Sequence, residues 1–141
     1  MDAPAKPVPL VSPWARPFWD ATREHKLIIQ KCGACHEHVF YPRIVCPHCG
    51  EDALGWVDAS GRGTIYTYTV VTNNAPSAFA PDTPFVIAVV RLEEGVQMLS
   101  NIVDCDPEAL ACDMPVEVAF EKRTDEFTMP VFRPLAGGSD A

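Results

Sequence analysis

Apolar and polar positions alternate most clearly in the second half of the chain, where short runs rich in β-branched and aromatic residues recur between turn signals. Thr64 to Thr72 reads T-I-Y-T-Y-T-V-V-T, and runs of similar kind follow at Phe85 to Leu92, Val96 to Val103, Val116 to Lys122 and Thr128 to Arg133. These predict five strands. Glu93-Glu94-Gly95 is a hairpin signal between the second and third. Asp106-Pro107-Glu108-Ala109-Leu110 offers an N-cap, a proline at the first helical position and an acidic first turn, which places a short helix between the third and fourth strands. That order suits a five-stranded OB-type Greek-key barrel better than a sandwich. Strict alternation along the first strand puts Thr64, Tyr66, Tyr68 and Val70 on one face, with Ile65, Thr67, Thr69 and Val71 on the other.

The first half is patterned differently. Pro4, Pro7, Pro9 and Pro13 rule out a regular helix over residues 1–13, which read as an extended arm. From Trp14 to about Glu24 a short helix is predicted, with Pro17 tolerable in its first turn and Trp14, Phe18 and Ala21 on one face. Lys26 to Cys32 then alternates as a strand, Val39 to Arg43 reads as its return, and Ala53 to Asp58 leads onward. The expected division is an arm and helix over 1–25, a ribbon over 26–58, a barrel over 59–134 and a tail over 135–141. The fold class is therefore mainly β, with one N-terminal helix.

Between the first strands stand Cys32, Cys35, Cys46 and Cys49, two C-x-x-C knuckles separated by ten residues. Two residues between cysteines let a tight turn aim both sulfurs at one point, and two such turns supply four thiolates for a tetrahedral metal. Strand, knuckle, strand, knuckle is the layout of a zinc ribbon. Zinc is the expected ion and iron its competitor, since both take four sulfurs; the colour of purified protein separates them. Four thiolates leave no coordination position for water or substrate, so the metal is expected to be structural.

Composition adds a constraint on partners. Residues 1–49 carry six Lys/Arg against four Asp/Glu, and residues 50–141 carry five against fifteen. The strongly acidic second half opposes bulk affinity for nucleic acid or an anionic membrane. The N-terminus has no basic stretch followed by an apolar run, and the longest apolar run, Phe85 to Val90, is too short for a membrane span. Reduced cysteines in a cytoplasm fit better than disulfides.

Other candidate residues favour plain readings. His36 and His48 lie beside the knuckles as substitute ligands, while His25 and His38 suit the surface. Cys105 and Cys112 read as packed thiols, without the cationic neighbour that a nucleophile needs. Ser60-Gly61-Arg62-Gly63 opens a strand and lacks the third glycine and the helix of a dinucleotide fingerprint, although Arg62 is placed to meet an anion. Tyr66 and Tyr68 invite base stacking, which the acidic surroundings oppose. A protein interface involving Trp14, Phe18, Trp19, Tyr66 and Tyr68 is the alternative to simple packing.

The two knuckles, preceded by F-W-D-A-T-R-E-H-K-L-I-I-Q-K-C and followed by S-G-R-G-T-I-Y-T-Y-T-V-V, resemble a family of acyl-CoA-associated proteins. It is the one catalogued as domain of unknown function thirty-five, a rubredoxin-like zinc ribbon joined to an OB fold. L-S-N-I-V-D-C-D-P-E-A-L, M-P-V-E-V-A-F-E and M-P-V-F-R-P also look like its barrel segments, so the resemblance runs from about Trp14 to Pro134. It implies a non-catalytic accessory subunit of a thiolase-superfamily enzyme, either an acyl-CoA thiolase or acyltransferase or an aldolase that shortens steroid side chains. The reacting cysteine and histidines would then belong to the large partner. Only Cys32, Cys35, Cys46 and Cys49 carry over as ligands; His36 stands where many such ribbons have glycine. Charge placement adds the expectation that Lys31, Arg43 and Arg62 face the phosphates of acyl-CoA. A single-stranded nucleic-acid binder and a rubredoxin-like electron carrier remain the rival classes.

Overall fold

In a computed structural model the protein is described over residues 11–73 and 77–135. Most of the tail and most of the arm lie outside the described residues. A single 3-10 turn, Pro13–Ala15, leads into α1, Arg16–Arg23. Pro17 sits in the first turn, where its missing N–H breaks no helical bond. The helix ends in a Schellman motif: the Lys26 N–H donates to Ala21 C=O at 2.9 Å, the His25 N–H donates to Thr22 C=O at 3.0 Å, and His25 has φ 60°. Phe18 and Thr22, four apart, form its buried face. Trp14 precedes the helix and is exposed, so the expected face of Trp14, Phe18 and Ala21 is replaced by this one.

The ribbon is a three-stranded antiparallel sheet in the order β2-β1-β3, built from β1 (Ile28–Cys32), β2 (His38–Val39) and β3 (Leu54–Asp58). The lead-out segment is thus a full partner of β1, pairing from Ile28↔Asp58 to Cys32↔Leu54. The return strand is shorter than Val39 to Arg43, because only His38 and Val39 pair with β1. Beyond them the side chain of Gln30 takes over. Its amide accepts from the Arg43 N–H at 2.7 Å and donates to the Arg43 C=O at 2.9 Å, imitating a backbone bridge.

Five strands form a closed barrel in the order β4-β5-β6-β8-β7: β4 (Arg62–Val71), β5 (Phe85–Leu92), β6 (Gln97–Ile102), β7 (Pro115–Lys122) and β8 (Thr128–Pro134). The helix expected after the third barrel strand is one 3-10 turn, Pro107–Ala109, capped by Asp106 through the Glu108 N–H at 3.0 Å. Along β5, Val86, Ala88, Val90 and Leu92 point inward at every second position. They meet Ile65, Ile102, Val116 and Phe132 in a core that also takes in Phe18, Leu27 and Ile29. Helix and ribbon therefore share the barrel's core. The barrel seam between β6 and β8 is thin, with one parallel pair, Ile102↔Phe132.

The alternation expected along β4 is broken. A bulge lies between Ile65, which pairs with Val90, and Thr67, which pairs with Val89, leaving Tyr66 as the extra residue. Ile65 and Tyr68 both turn toward the core as a result, and Tyr66 turns out to solvent.

Candidate metal centre

The knuckles are two copies of one turn, fourteen residues apart. In the first, the Cys32 N–H donates to Glu37 C=O and the His36 N–H donates to Cys32 C=O, both at 2.9 Å. In the second, Cys46 N–H donates to Glu51 C=O and Gly50 N–H donates to Cys46 C=O, also at 2.9 Å. Each turn aims amides at its first sulfur: the Ala34 N–H lies 3.4 Å from Cys32 Sγ, and the His48 N–H 3.3 Å from Cys46 Sγ. Such donors stabilise thiolate charge. Each turn also needs a left-handed residue to close, supplied by His36 at φ 66° and Gly50 at φ 81°.

The four sulfurs converge within 4.8 Å of one another. Across the knuckles, Cys32 Sγ is 3.6 Å from Cys49 Sγ and Cys35 Sγ is 3.7 Å from Cys46 Sγ. A tetrahedron with metal–sulfur bonds of ~2.3 Å has edges of about 3.8 Å, so the set fits a four-thiolate ion. Proton affinities within the set are pulled apart. Cys32 is lowered to about 7, chiefly by the Cys35 N–H, with burial opposing. Cys35 is raised to about 12: the Glu37 N–H lowers it, but burial and the sulfurs of Cys46 and Cys32 outweigh that pull. Four negative sulfurs this close require a cation between them, which is the electrostatic case for a metal. Cys32, Cys46 and Val39 make a small core of their own beside Cys35 and Leu54, while Cys49 is exposed. An ion held by all four has no side open to substrate. Its chemistry would be to hold the ribbon in shape.

Residues expected around this centre separate. Arg43 is exposed and lines a cleft of about 590 Å³ between the ribbon and the β5–β6 hairpin, together with His38, Tyr41, His48, Glu94 and Leu99. Lys31 and Arg62 do not line that cleft. Lys31 is half-buried on β1, its neighbour Gln30 facing the Arg43 loop, and Arg62 opens β4, where its N–H donates to Ser60 Oγ at 3.1 Å. Of the three cations, Arg43 alone lines this cleft.

The aromatics divide likewise. Phe18 is buried, 5.0 Å from Trp19 and 5.4 Å from Phe40, and Trp19 meets Phe127 at 5.7 Å. Their rings join helix, ribbon and barrel, so Phe18 has no surface left to offer a partner. Tyr68 is half-buried and its hydroxyl donates to Leu110 C=O at 2.9 Å, while exposed Tyr66 has the Arg91 guanidinium 4.5 Å above its ring. Tyr66 and Tyr68 thus do not form one stacking face. His25 stacks on Phe120 at 5.1 Å. Cys105 packs against the core, whereas Cys112 is exposed and not the packed thiol expected. Burial raises the Cys105 thiol, with Asp106 and Asp104 adding to it. Gln30 and Tyr41 went unnoticed in the sequence; a glutamine inside L-I-I-Q-K-C was the available signal.

Known proteins share both modules. Family models described as the rubredoxin-like zinc ribbon domain and the C-terminal OB-fold domain of ChsH2 match residues 19–55 and 56–121. A DUF35 domain-containing scaffold protein of Methanothermobacter thermautotrophicus is 37% identical over 105 residues, covering 74% of this chain and 78% of the relative. The chain belongs to the DUF35 family. A chain from a solved structure titled "Ltp2-ChsH2(DUF35) aldolase" superposes with a TM-score of 0.82 at 34% identity, covering 90% of this chain and 98% of that one. A probable enoyl-CoA hydratase alpha subunit of Thermomonospora curvata is 37% identical over 118 residues, 83% of this chain and 36% of the relative. The 3-oxo-4,17-pregnadiene-20-carboxyl-CoA hydratase alpha subunit of Mycobacterium tuberculosis is 36% identical over 106 residues, 73% of this chain and 32% of the relative. The chain thus corresponds to roughly a third of each hydratase subunit. No helix among the described residues is long and apolar enough to cross a membrane.

Proposed function

We propose that this chain is a non-catalytic, zinc-binding accessory subunit of a heteromeric enzyme acting on acyl-CoA thioesters, its partner a thiolase-superfamily protein that supplies the reacting groups. The observation that carries the reading is the closed four-cysteine centre: a metal fully enclosed by protein sulfur builds a platform and performs no turnover. Among the described residues no other group of His, Cys, Asp and Glu is placed to hold a metal. The likeness to a chain of a two-component aldolase supports a partner, and the CoA thioesters in the names of two relatives support the substrate class. The ribbon's set of sulfurs would take zinc as a structural ion, and the exposed Arg43 is the cation best placed for an anionic ligand at the cleft.

A second reading makes the partner a hydratase, favoured by the two hydratase alpha subunits that contain a matching stretch. One experiment tests both. The tagged chain is purified from its native cells, the companion identified by mass spectrometry and the metal measured in the same sample. A thiolase-type companion and about one zinc per chain are expected; a hydratase companion selects the second reading, and acyl-CoA turnover by the small chain alone overturns both.

A further inference from the structure

The four sulfurs of the metal set are unequally sheltered. Cys32 and Cys46 are 0% and 1% exposed, Cys35 is half-buried, and Cys49 is exposed. The chain around Cys49 is open as well, since Pro47, His48 and Gly50 all face solvent. A sulfur bound to a metal is deprotonated outright, and the thiolate is the form that peroxides oxidise. Exposure then decides which of the four an oxidant meets first.

Cys49 also has a second sulfur within reach. Its Sγ lies 3.6 Å from Cys32 Sγ, across the two knuckles. A disulfide holds its sulfurs ~2.04 Å apart, which leaves this pair about 1.6 Å to close. Cys32 is held firmly in place, with its N–H donating to Glu37 C=O at 2.9 Å and the Ala34 and Cys35 N–H groups lying 3.4 and 3.5 Å from its sulfur. Those amides stabilise thiolate charge at a position that an oxidant in solution does not reach.

We propose that Cys49 is a peroxide-sensitive modification site and that Cys32 is its resolving thiol, so that oxidation replaces the metal with a disulfide across the knuckles. The inference rests on the zinc-binding part of the reading above and is independent of the partner's identity. In the first step the Cys49 thiolate attacks one oxygen of hydrogen peroxide, the O–O bond breaks, and the departing hydroxide takes a proton to become water. Cys49 is then a sulfenic acid, oxidised by two electrons. In the second step the Cys32 thiolate attacks that sulfur, the S–O bond breaks, and a second hydroxide leaves and is protonated. Two thiolates, one peroxide and two protons thus become one disulfide and two waters. Zinc keeps its oxidation state and is released because two of its four ligands are consumed.

The test uses the full zinc-loaded chain carrying Cys112→Ser, which removes the exposed thiol outside the metal set. Hydrogen peroxide is added, zinc release is followed with a chromogenic chelator, sulfenic acid is trapped with dimedone at early times, and disulfides are mapped by mass spectrometry. Dimedone on Cys49, a Cys32–Cys49 disulfide as the first linkage, and zinc released in step with it are the expected result. In a second variant, Cys49→His, the imidazole can still ligate zinc but cannot form the disulfide, and peroxide-driven release from its loaded form should be about tenfold slower. A first disulfide within one knuckle, dimedone on Cys35 instead of Cys49, or zinc retained under excess peroxide overturns the inference and leaves the zinc-binding reading standing. So does release from Cys49→His within twofold of the parent. If the chain isolated from its native cells carries no zinc, the zinc-binding reading itself fails and the inference falls with it.

Discussion

His36 occupies in the first knuckle the position that Gly50 occupies in the second, and both carry the same backbone bond to the first cysteine of their turn. A side chain in the left-handed region costs about 1–2 kcal/mol, reduced for glycine's partner residue only by the entropy that glycine itself gives up. His36→Gly is therefore expected to stabilise the metal-loaded protein by about 0.5–1 kcal/mol, and Gly50→His to destabilise it by a similar amount. Denaturant melts of the two variants check this; a destabilising His36→Gly would mean that the imidazole makes a contact worth more than the strain.

Removing the metal is expected to divide the molecule. Cys32, Val39 and Cys46 form a core separate from the barrel's, and its stability is expected to depend on the ion. Structural zinc contributes about 10–16 kcal/mol of binding free energy in small folded modules, so a chelator, or Cys49→Ser, should melt the knuckles while the barrel strands persist. Hydrogen exchange reads this as lost protection at Cys32, His36, Cys46 and Gly50 with β4, β5 and β7 still protected. Uniform loss across the barrel would show that the two cores are one cooperative unit.

Tyr66 and Tyr68 should respond differently to substitution. Tyr68→Phe leaves the Leu110 carbonyl without its partner and is expected to cost about 1 kcal/mol. Tyr66→Ala removes an exposed ring beneath Arg91 and should cost about 0.5 kcal/mol. Thermal melts of the pair test the bulge directly, since a regular strand would give the two rings equal standing.

The two cysteines outside the metal set should react unequally. Cys105 is raised above the ordinary thiol value of 9.0 by burial and then by Asp106 and Asp104. Its folded form favours the proton, so its contribution to stability is complete below pH 9.0 and is lost as pH climbs through the raised value. Alkylation of the metal-loaded protein at pH 8 should label Cys112 first, with Cys105 following only at higher pH. Mass spectra over a time course decide it; equal rates would remove the burial argument.

Gly63 gives a steric test of the barrel. A Cβ there would run into the backbone carbonyl of Arg91 on the paired strand, so Gly63→Ala should cost about 2–3 kcal/mol. Loss of less than about 0.5 kcal/mol, measured by urea melts, would show that β4 and β5 separate readily at this point.

Much of this architecture was readable from local pattern. The strand at Phe85 to Leu92 is recovered with its bounds unchanged, because its β-rich apolar run is uninterrupted and its hairpin is marked by Gly95. The four cysteines needed only their spacing. What pattern alone could not give was anything decided across space. The bulge at Tyr66 is a register matter between β4 and β5, invisible to a count of alternate residues. The shortened β2 depends on Gln30 replacing backbone pairing at Arg43, thirteen residues away. Phe18 offered the same local signal as Trp14, and only the position of Phe40 and the barrel core decided which ring was buried.

The thin seam between β6 and β8 bears on how this protein avoids sticking to itself. A strand edge with free backbone donors is a template on which other chains add, and a barrel joined there by one pair is exposed to that hazard. Here the Leu99 amide is already spoken for by the Tyr41 hydroxyl, Pro130 brings no N–H to the facing strand, and its carbonyl is taken by the Ser100 hydroxyl at 2.9 Å. The ribbon's Tyr41 thus covers one donor at the barrel's thinnest margin, beside the barrel's own Ser100 and Pro130, and a chain stripped of its metal is expected to aggregate through that margin before the barrel itself unfolds.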